Sequence, residues 1–193
     1  MNKVVVGLIF GIFMVLFLIM GSLVYFAFIH EPQIDKPVVD KPDVAGINTS
    51  QSLSNVEIKS EYITYILTEI GAYKLSNPPL SSKTPKIIVD VEGTLFYAEV
   101  VDNKITTTKT SFTDTDLKFI TTKKVVIDTI NSEDIGGNFK DSINSGETDF
   151  EMIASEKTLF LKGYLDLYEE LTGEEVSITG GVIKVTSGRI SVG

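Results

Sequence analysis

The stretch DLKFITTKKVVIDTI, residues 116–130, decides the fold, because two periods meet inside it. Leu117, Phe119 and Thr121 alternate with Asp116, Lys118 and Ile120, the two-residue period of a strand. Thr122 then offers an N-cap, and Lys123 to Ile130 follows as a helix. A strand feeding straight into a helix points to an α+β domain.

Upstream, Ile87, Val89 and Val91 alternate with Ile88, Asp90 and Glu92 up to Gly93. Leu95 to Val101 reads as the return strand, Asp102-Asn103 as a turn, and Ile105 to Phe112 as a third strand. With Asp116 to Thr121 these predict an antiparallel meander of four strands. Before it, a helix is expected over 54–75: Ser54 and Glu57 have capping-box spacing, and Ile63, Ile66, Ile70 and Tyr73 share a face. Asn77-Pro78-Pro79 cannot continue a helix.

Downstream, Gly136-Gly137 is expected to separate the first helix from a second short one through Phe139 and Ile143, closed by Gly146. Thr148 to Ala154 reads as a fifth strand. Ser155 then caps a helix on which Phe160, Tyr164, Leu167, Tyr168 and Leu171 share a face, with Gly173 terminating it. Val176 to Thr179 and Val182 to Val185, joined by Gly180-Gly181, read as a hairpin, and Arg189 to Val192 follows a Ser187-Gly188 turn.

At the other end, residues 4–29 carry no charged side chain across 26 positions. A helix of that length would reach about 39 Å, more than a hydrocarbon core of about 30 Å, so an uncleaved signal anchor is expected over residues 1–30. The exit Tyr25-Phe26-Ala27-Phe28-Ile29-His30 is too bulky for signal cleavage. Lys3 before the span and Glu31 and Asp35 after it place the amino terminus in the cytoplasm, leaving a single-pass membrane protein with its C-terminal domain outside. Gly7 and Gly11 are spaced for helix dimerisation, and His30 reads as an interfacial residue. Residues 31–49 hold three of the six prolines, at 32, 37 and 42, and read as an extended extracytoplasmic linker of about 60 Å maximal reach. Asn48-Thr49-Ser50 is a glycosylation sequon. The folded domain is then residues 50–173 and the hairpin tail 174–193.

Composition narrows the chemistry. The 193 residues carry 17 Lys plus Arg against 26 Asp plus Glu, a net charge of −9, which argues against a nucleic-acid partner. The chain has no Cys, one His and no Trp, so disulfides, thiolate metal sites and cysteine nucleophiles are excluded, and a Ser-His-Asp triad would have to use His30. Asp114 and Asp116, with Asp102 nearby, lack the loop that holds Ca²⁺. Glu169-Glu170 and Glu174-Glu175 read as a solvated face. Thr121-Thr122-Lys123-Lys124 gives no desolvated lysine base, and the two Gly-Gly pairs lack the context of a phosphate cradle. No metal, cofactor or catalytic residue is expected.

The order of elements has one further reading. Asp116-Leu117-Lys118-Phe119-Ile120 runs into Lys123 to Ile130; FKDSINSG at 139–146 then precedes Asp149-Phe150-Glu151-Met152 and a last helix. This resembles the sterol carrier protein type 2-like family of lipid-binding domains, over residues 54–172. The resemblance implies a five-stranded, mostly antiparallel curved sheet covered by helices, with an apolar cavity between them. Its expected walls are Ile66, Ile70, Phe119, Val126, Phe139, Ile143, Phe160 and Leu167. Ala154-Ser155-Glu156-Lys157 stands where the family has a Gly-rich turn, and both the anchor and the hairpin tail lie outside the pattern. The expected function is non-catalytic binding of a hydrophobic ligand such as lipid by a membrane-anchored module. The alternative is an extracytoplasmic interaction or assembly module, presenting the terminal hairpin to a protein partner or to a second copy.

Overall fold

A computed structural model describes residues 14–21, 34–47, 53–78, 81–179 and 182–186. The chain divides into two units, Met1–Asp35 and Lys36–Gly193.

In the first unit residues 14–21 are helical, and the side chains from Met14 to Met20 are exposed. Among the described residues no helix is long and apolar enough to cross a membrane. This corrects the expectation of a transmembrane signal anchor, and with it the single-pass topology and the outside location, none of which is supported. The rest of the apolar run, with Gly7, Gly11 and His30, lies outside the described residues, as does Asn48.

The second unit opens with α1 (Ser60–Glu69) and a 3₁₀ turn (Ala72–Lys74). Strands β1 (Lys86–Val91), β2 (Thr94–Val101), β3 (Lys104–Thr108) and β4 (Leu117–Thr121) follow, then α2 (Lys123–Asn131) and α3 (Ile135–Asn144). The chain continues through β5 (Asp149–Met152), α4 (Glu156–Lys162), α5 (Tyr164–Thr172), β6 (Glu175–Thr179) and β7 (Val182–Thr186).

The sheet order is β3-β2-β1-β4-β5. The expected four-strand meander is corrected to three strands: β4 leaves β3 and pairs parallel with the far edge of β1, Val89 opposite Phe119. The sheet is therefore mixed, with β4–β5 antiparallel beyond the parallel pair. The start of the parallel register is held by Asp116, whose backbone N–H donates to the Lys86 carbonyl at 2.9 Å while its carboxylate accepts from the Lys86 N–H at 2.8 Å. Alternation reveals that β4 has a buried face, but not which neighbour it takes. Ile87, Val89, Val91, Phe96, Ala98, Val100, Leu117 and Phe119 make the buried sheet face.

The helices differ from expectation at their ends. α1 begins at Ser60, behind an N-cap Lys59 that makes no side-chain cap bond, and not at Ser54. The Glu57 carboxylate is engaged 3.1 Å from the Lys109 ammonium instead of closing a capping box. Thr122 caps α2 as expected, accepting from the Val125 N–H at 3.2 Å. Gly136-Gly137 is no separator but the first turn of α3, because Asp134 caps that helix through the Gly137 N–H at 2.9 Å. A Cβ on Gly137 would fall 2.3 Å from that carboxylate. The single helix expected after Ser155 is two, broken at Gly163, whose φ of +84° belongs to the left-handed region.

Residues 36–47 lie against the domain. The Lys36 ammonium is 2.6 Å from Glu69 at the end of α1, and Val44 is buried. The terminal hairpin β6–β7 forms a two-stranded sheet of its own, with Ile178 opposite Ile183.

Candidate functional site

Two recesses take adjacent residues of the chain, Asp116 and Leu117 at the start of β4, but have no lining residue in common. The first is apolar. β4 supplies Leu117 and Phe119, β5 supplies Phe150 and Met152, and α5 supplies Tyr164, Leu167, Tyr168 and Leu171. The α5 residues recur at three- and four-residue steps, so one helix face carries all four. The aromatic rings interlock: Phe150 meets Tyr168 edge-on at 5.1 Å, and Phe119 lies 6.3 Å from Phe150 and 5.5 Å from Phe139. The free volume left is about 10 Å³, close to that of a single water probe. The cleft is closed by its own side chains.

The second recess is a polar groove of about 470 Å³ at the head of β1 and β4. At its floor the Lys162 ammonium donates to Asp116 Oδ1 at 2.9 Å and Oδ2 at 2.7 Å, and to the Thr84 carbonyl at 2.7 Å. Both charged side chains are under 5% exposed. The Tyr164 hydroxyl donates to Asp116 Oδ2 at 3.1 Å. Burial first, and then the Asp116 charge and hydrogen bond, push the Tyr164 phenol well above its usual range. A lysine held by three acceptors is not a free nucleophile or base; here it is a clasp tying the end of α4 to the start of β4.

At the far end of α5 the Tyr168 hydroxyl donates to Glu174 at 2.5 Å, and the Val176 N–H donates to Glu169 Oε1 at 2.6 Å. Burial, then the Glu174 contact, pushes the Tyr168 phenol up to about 12. These bonds anchor the hairpin's first strand to α5.

The expected cavity walls are scattered. Phe119 and Leu167 line the apolar cleft. Ile66, Ile70, Val126 and Phe139 are buried but lie outside that cleft's lining. Ile143 is half-buried, while Phe160 is 57% exposed. Phe160 misses because the break at Gly163 resets the helical phase, so the face it would share with Tyr164 and Leu167 does not continue into α4. The cleft residues absent from the expected set carried a signal: Phe150 and Met152 alternate with Asp149 and Glu151, and Tyr164, Tyr168 and Leu171 share the α5 face. The Asp116–Lys162 clasp had none, since 46 residues separate its partners.

No protein-family model matches the chain, and no curated protein matches it. Among solved structures the chain is similar to one described as "UbiJ-SCP2 Ubiquinone synthesis protein", at 15% identity, covering 56% of this chain and 91% of that one, with a TM-score of 0.33. At that TM-score the likeness adds nothing to what the cleft and groove show by themselves.

Proposed function

We propose that the domain is a non-catalytic binding module for an apolar ligand such as a lipid acyl chain, taken up between α5 and the β4–β5 edge. The observation that carries this reading is the cleft itself: eight apolar or aromatic side chains from three elements converge on one seam beside a helix break. The closed seam must open, and Gly163 is the joint about which α5 turns. Opening separates the Phe150–Tyr168 pair, worth about 0.5–1.5 kcal/mol beyond area. A chain of about ten methylenes, at about 0.8 kcal/mol each, offers about 8 kcal/mol on burial, against which stands the packing that the eight wall residues give up when the seam opens. Uptake of a fluorescent fatty acid by the purified full chain, saturating at one per chain and exchanging with vesicles, tests the proposal. Failure to take up or exchange the probe contradicts it.

A second reading has one observation in its favour. The hairpin β6–β7 stands apart from the five-stranded sheet, and among the described residues no third strand pairs with it. A protein partner adding a strand there would make the domain an interaction module. Deleting residues 174–193 then abolishes partner capture, whereas capture that survives deletion excludes the hairpin.

A further inference from the structure

The polar groove stands on its own, since none of its lining residues lines the apolar cleft. Its volume of about 470 Å³ lies within the ~300–1,000 Å³ usual for small-molecule sites. Two loops supply its rim: Ser82 and Lys83 precede β1, and Asp114 and Thr115 precede β4. Because β1 and β4 run parallel, both loops lie at the same end of the sheet.

The base of the groove is tied down. Lys162 holds Asp116 and the Thr84 carbonyl, and the Lys86 ammonium donates to the Thr113 carbonyl at 3.3 Å, joining the second loop to the head of β1. Glu99 accepts from the Thr84 hydroxyl. The Lys83 N–H donates to Ser81 Oγ at 3.1 Å, which sets the turn of the first loop, and Asp114 sits at a φ of +63° in the second.

The rim is free by contrast. Among the described residues the Lys83 ammonium, the Asp114 carboxylate and the hydroxyls of Ser82 and Thr115 have no ion-pair or hydrogen-bond partner, although all four residues line the groove. Each loop thus offers one charge beside one hydroxyl. The two charges are of opposite sign and do not pair with each other, which leaves a gap between them on a fixed base. An ion of either sign in that gap meets a like charge across the groove, whereas a molecule carrying both signs meets a partner on each side.

We infer that the groove is a separate site for a small zwitterion of the amino-acid or short-peptide class, its carboxylate received by Ser82 and Lys83 and its ammonium group by Asp114 and Thr115. The site does not depend on an apolar ligand in the cleft.

The test titrates the full chain with alanine, dialanine and trialanine, followed by ligand-observed NMR. At least one should bind saturably at one site per chain, and N-acetylation or C-terminal amidation of that compound should weaken it about tenfold. Lys83→Gln should weaken the free compound about tenfold and leave its amide unchanged. Asp114→Asn should do the same and leave the N-acetyl form unchanged. Both positions are exposed and Asn accepts a positive φ, so folding is preserved, as an unchanged melting temperature checks. Saturable binding by none of the three, capped forms that bind as tightly as the free compound, or a variant that weakens free and matching capped forms alike would overturn the site. Uptake of fatty acid by the cleft should be the same in both variants.

Discussion

The Tyr164 hydroxyl lies 3.1 Å from Asp116 Oδ2, so one side chain closes an apolar cleft with its ring and braces a buried ion pair with its oxygen. The same carboxylate accepts from the Lys86 N–H at 2.8 Å and from Lys162. One aspartate thus fixes the start of β4, its register on β1 and the junction of the last two helices.

Removing one partner of this ion pair leaves the other charge buried and unpaired. Lys162→Met should cost about 3–5 kcal/mol, measured by urea unfolding, because the pair is almost fully excluded from water. Combined with Asp116→Asn the loss should be smaller than the sum of the single losses, since the second change removes the orphaned charge. Full additivity would mean that the two side chains do not act as a pair.

Phe139 and Phe160 separate core from surface. Phe139→Ala should cost about 3–5 kcal/mol, because its ring is 3% exposed and packs 5.5 Å from Phe119. Phe160→Ala should change stability by no more than about 0.5 kcal/mol, the side chain being 57% exposed. Similar losses at both positions would contradict this packing.

Gly163 is required by its backbone and not by crowding. Gly163→Ala places a Cβ at a φ of +84°, with only Leu75 Cδ2 nearby at 3.8 Å, and should cost about 1–2 kcal/mol from strain alone. Gly163→Asn, which tolerates the left-handed region, should recover part of that loss. Thermal unfolding of the two variants side by side decides it.

Alkaline pH should weaken the junction of α5 with the hairpin. The Tyr168 phenol is raised from 10.0 to about 12 in the folded chain, so between those values the native state holds a proton that the unfolded state has released. Its contribution is fully present below pH 10 and is lost as pH rises toward 12. Tyr164 is shifted in the same direction, so Tyr168→Phe should flatten the decline of stability across that window without abolishing it. An unchanged slope would show that Tyr168 titrates alike in both states.

What was legible in the sequence was local. Period two located β1 and β4, β2 was read as the return strand after Gly93, and the hydroxyl of Thr122 and that of Ser155 marked helix starts that the structure retains. What was not legible depended on distance. The parallel pairing of β1 with β4 joins residues 30 apart through Asp116, and no pattern within either strand encodes it. Glu57 has the spacing of a capping box yet pairs with Lys109, 52 residues on, so tertiary contact overrode a local rule. The cleft was half visible for the same reason. Each wall residue lies on the apolar face of its own strand or helix, but that Phe150 of β5 meets Tyr168 of α5 follows only from β5 taking the sheet edge beside β4. The apolar run at residues 4–29 was read from hydropathy alone, and among the described residues no helix is long and apolar enough to cross a membrane.

The most direct test of the cleft is to map where an acyl chain sits. The full chain is loaded with a fatty acid carrying a diazirine near its methyl end, irradiated, and digested for mass spectrometry. One label per chain, on Phe150, Met152, Tyr168 or Leu171 and competed away by unlabelled fatty acid, is the predicted result. Label confined to the exposed side chains of Phe160, Ile153 or residues 14–20, or label that excess fatty acid does not displace, would contradict the account.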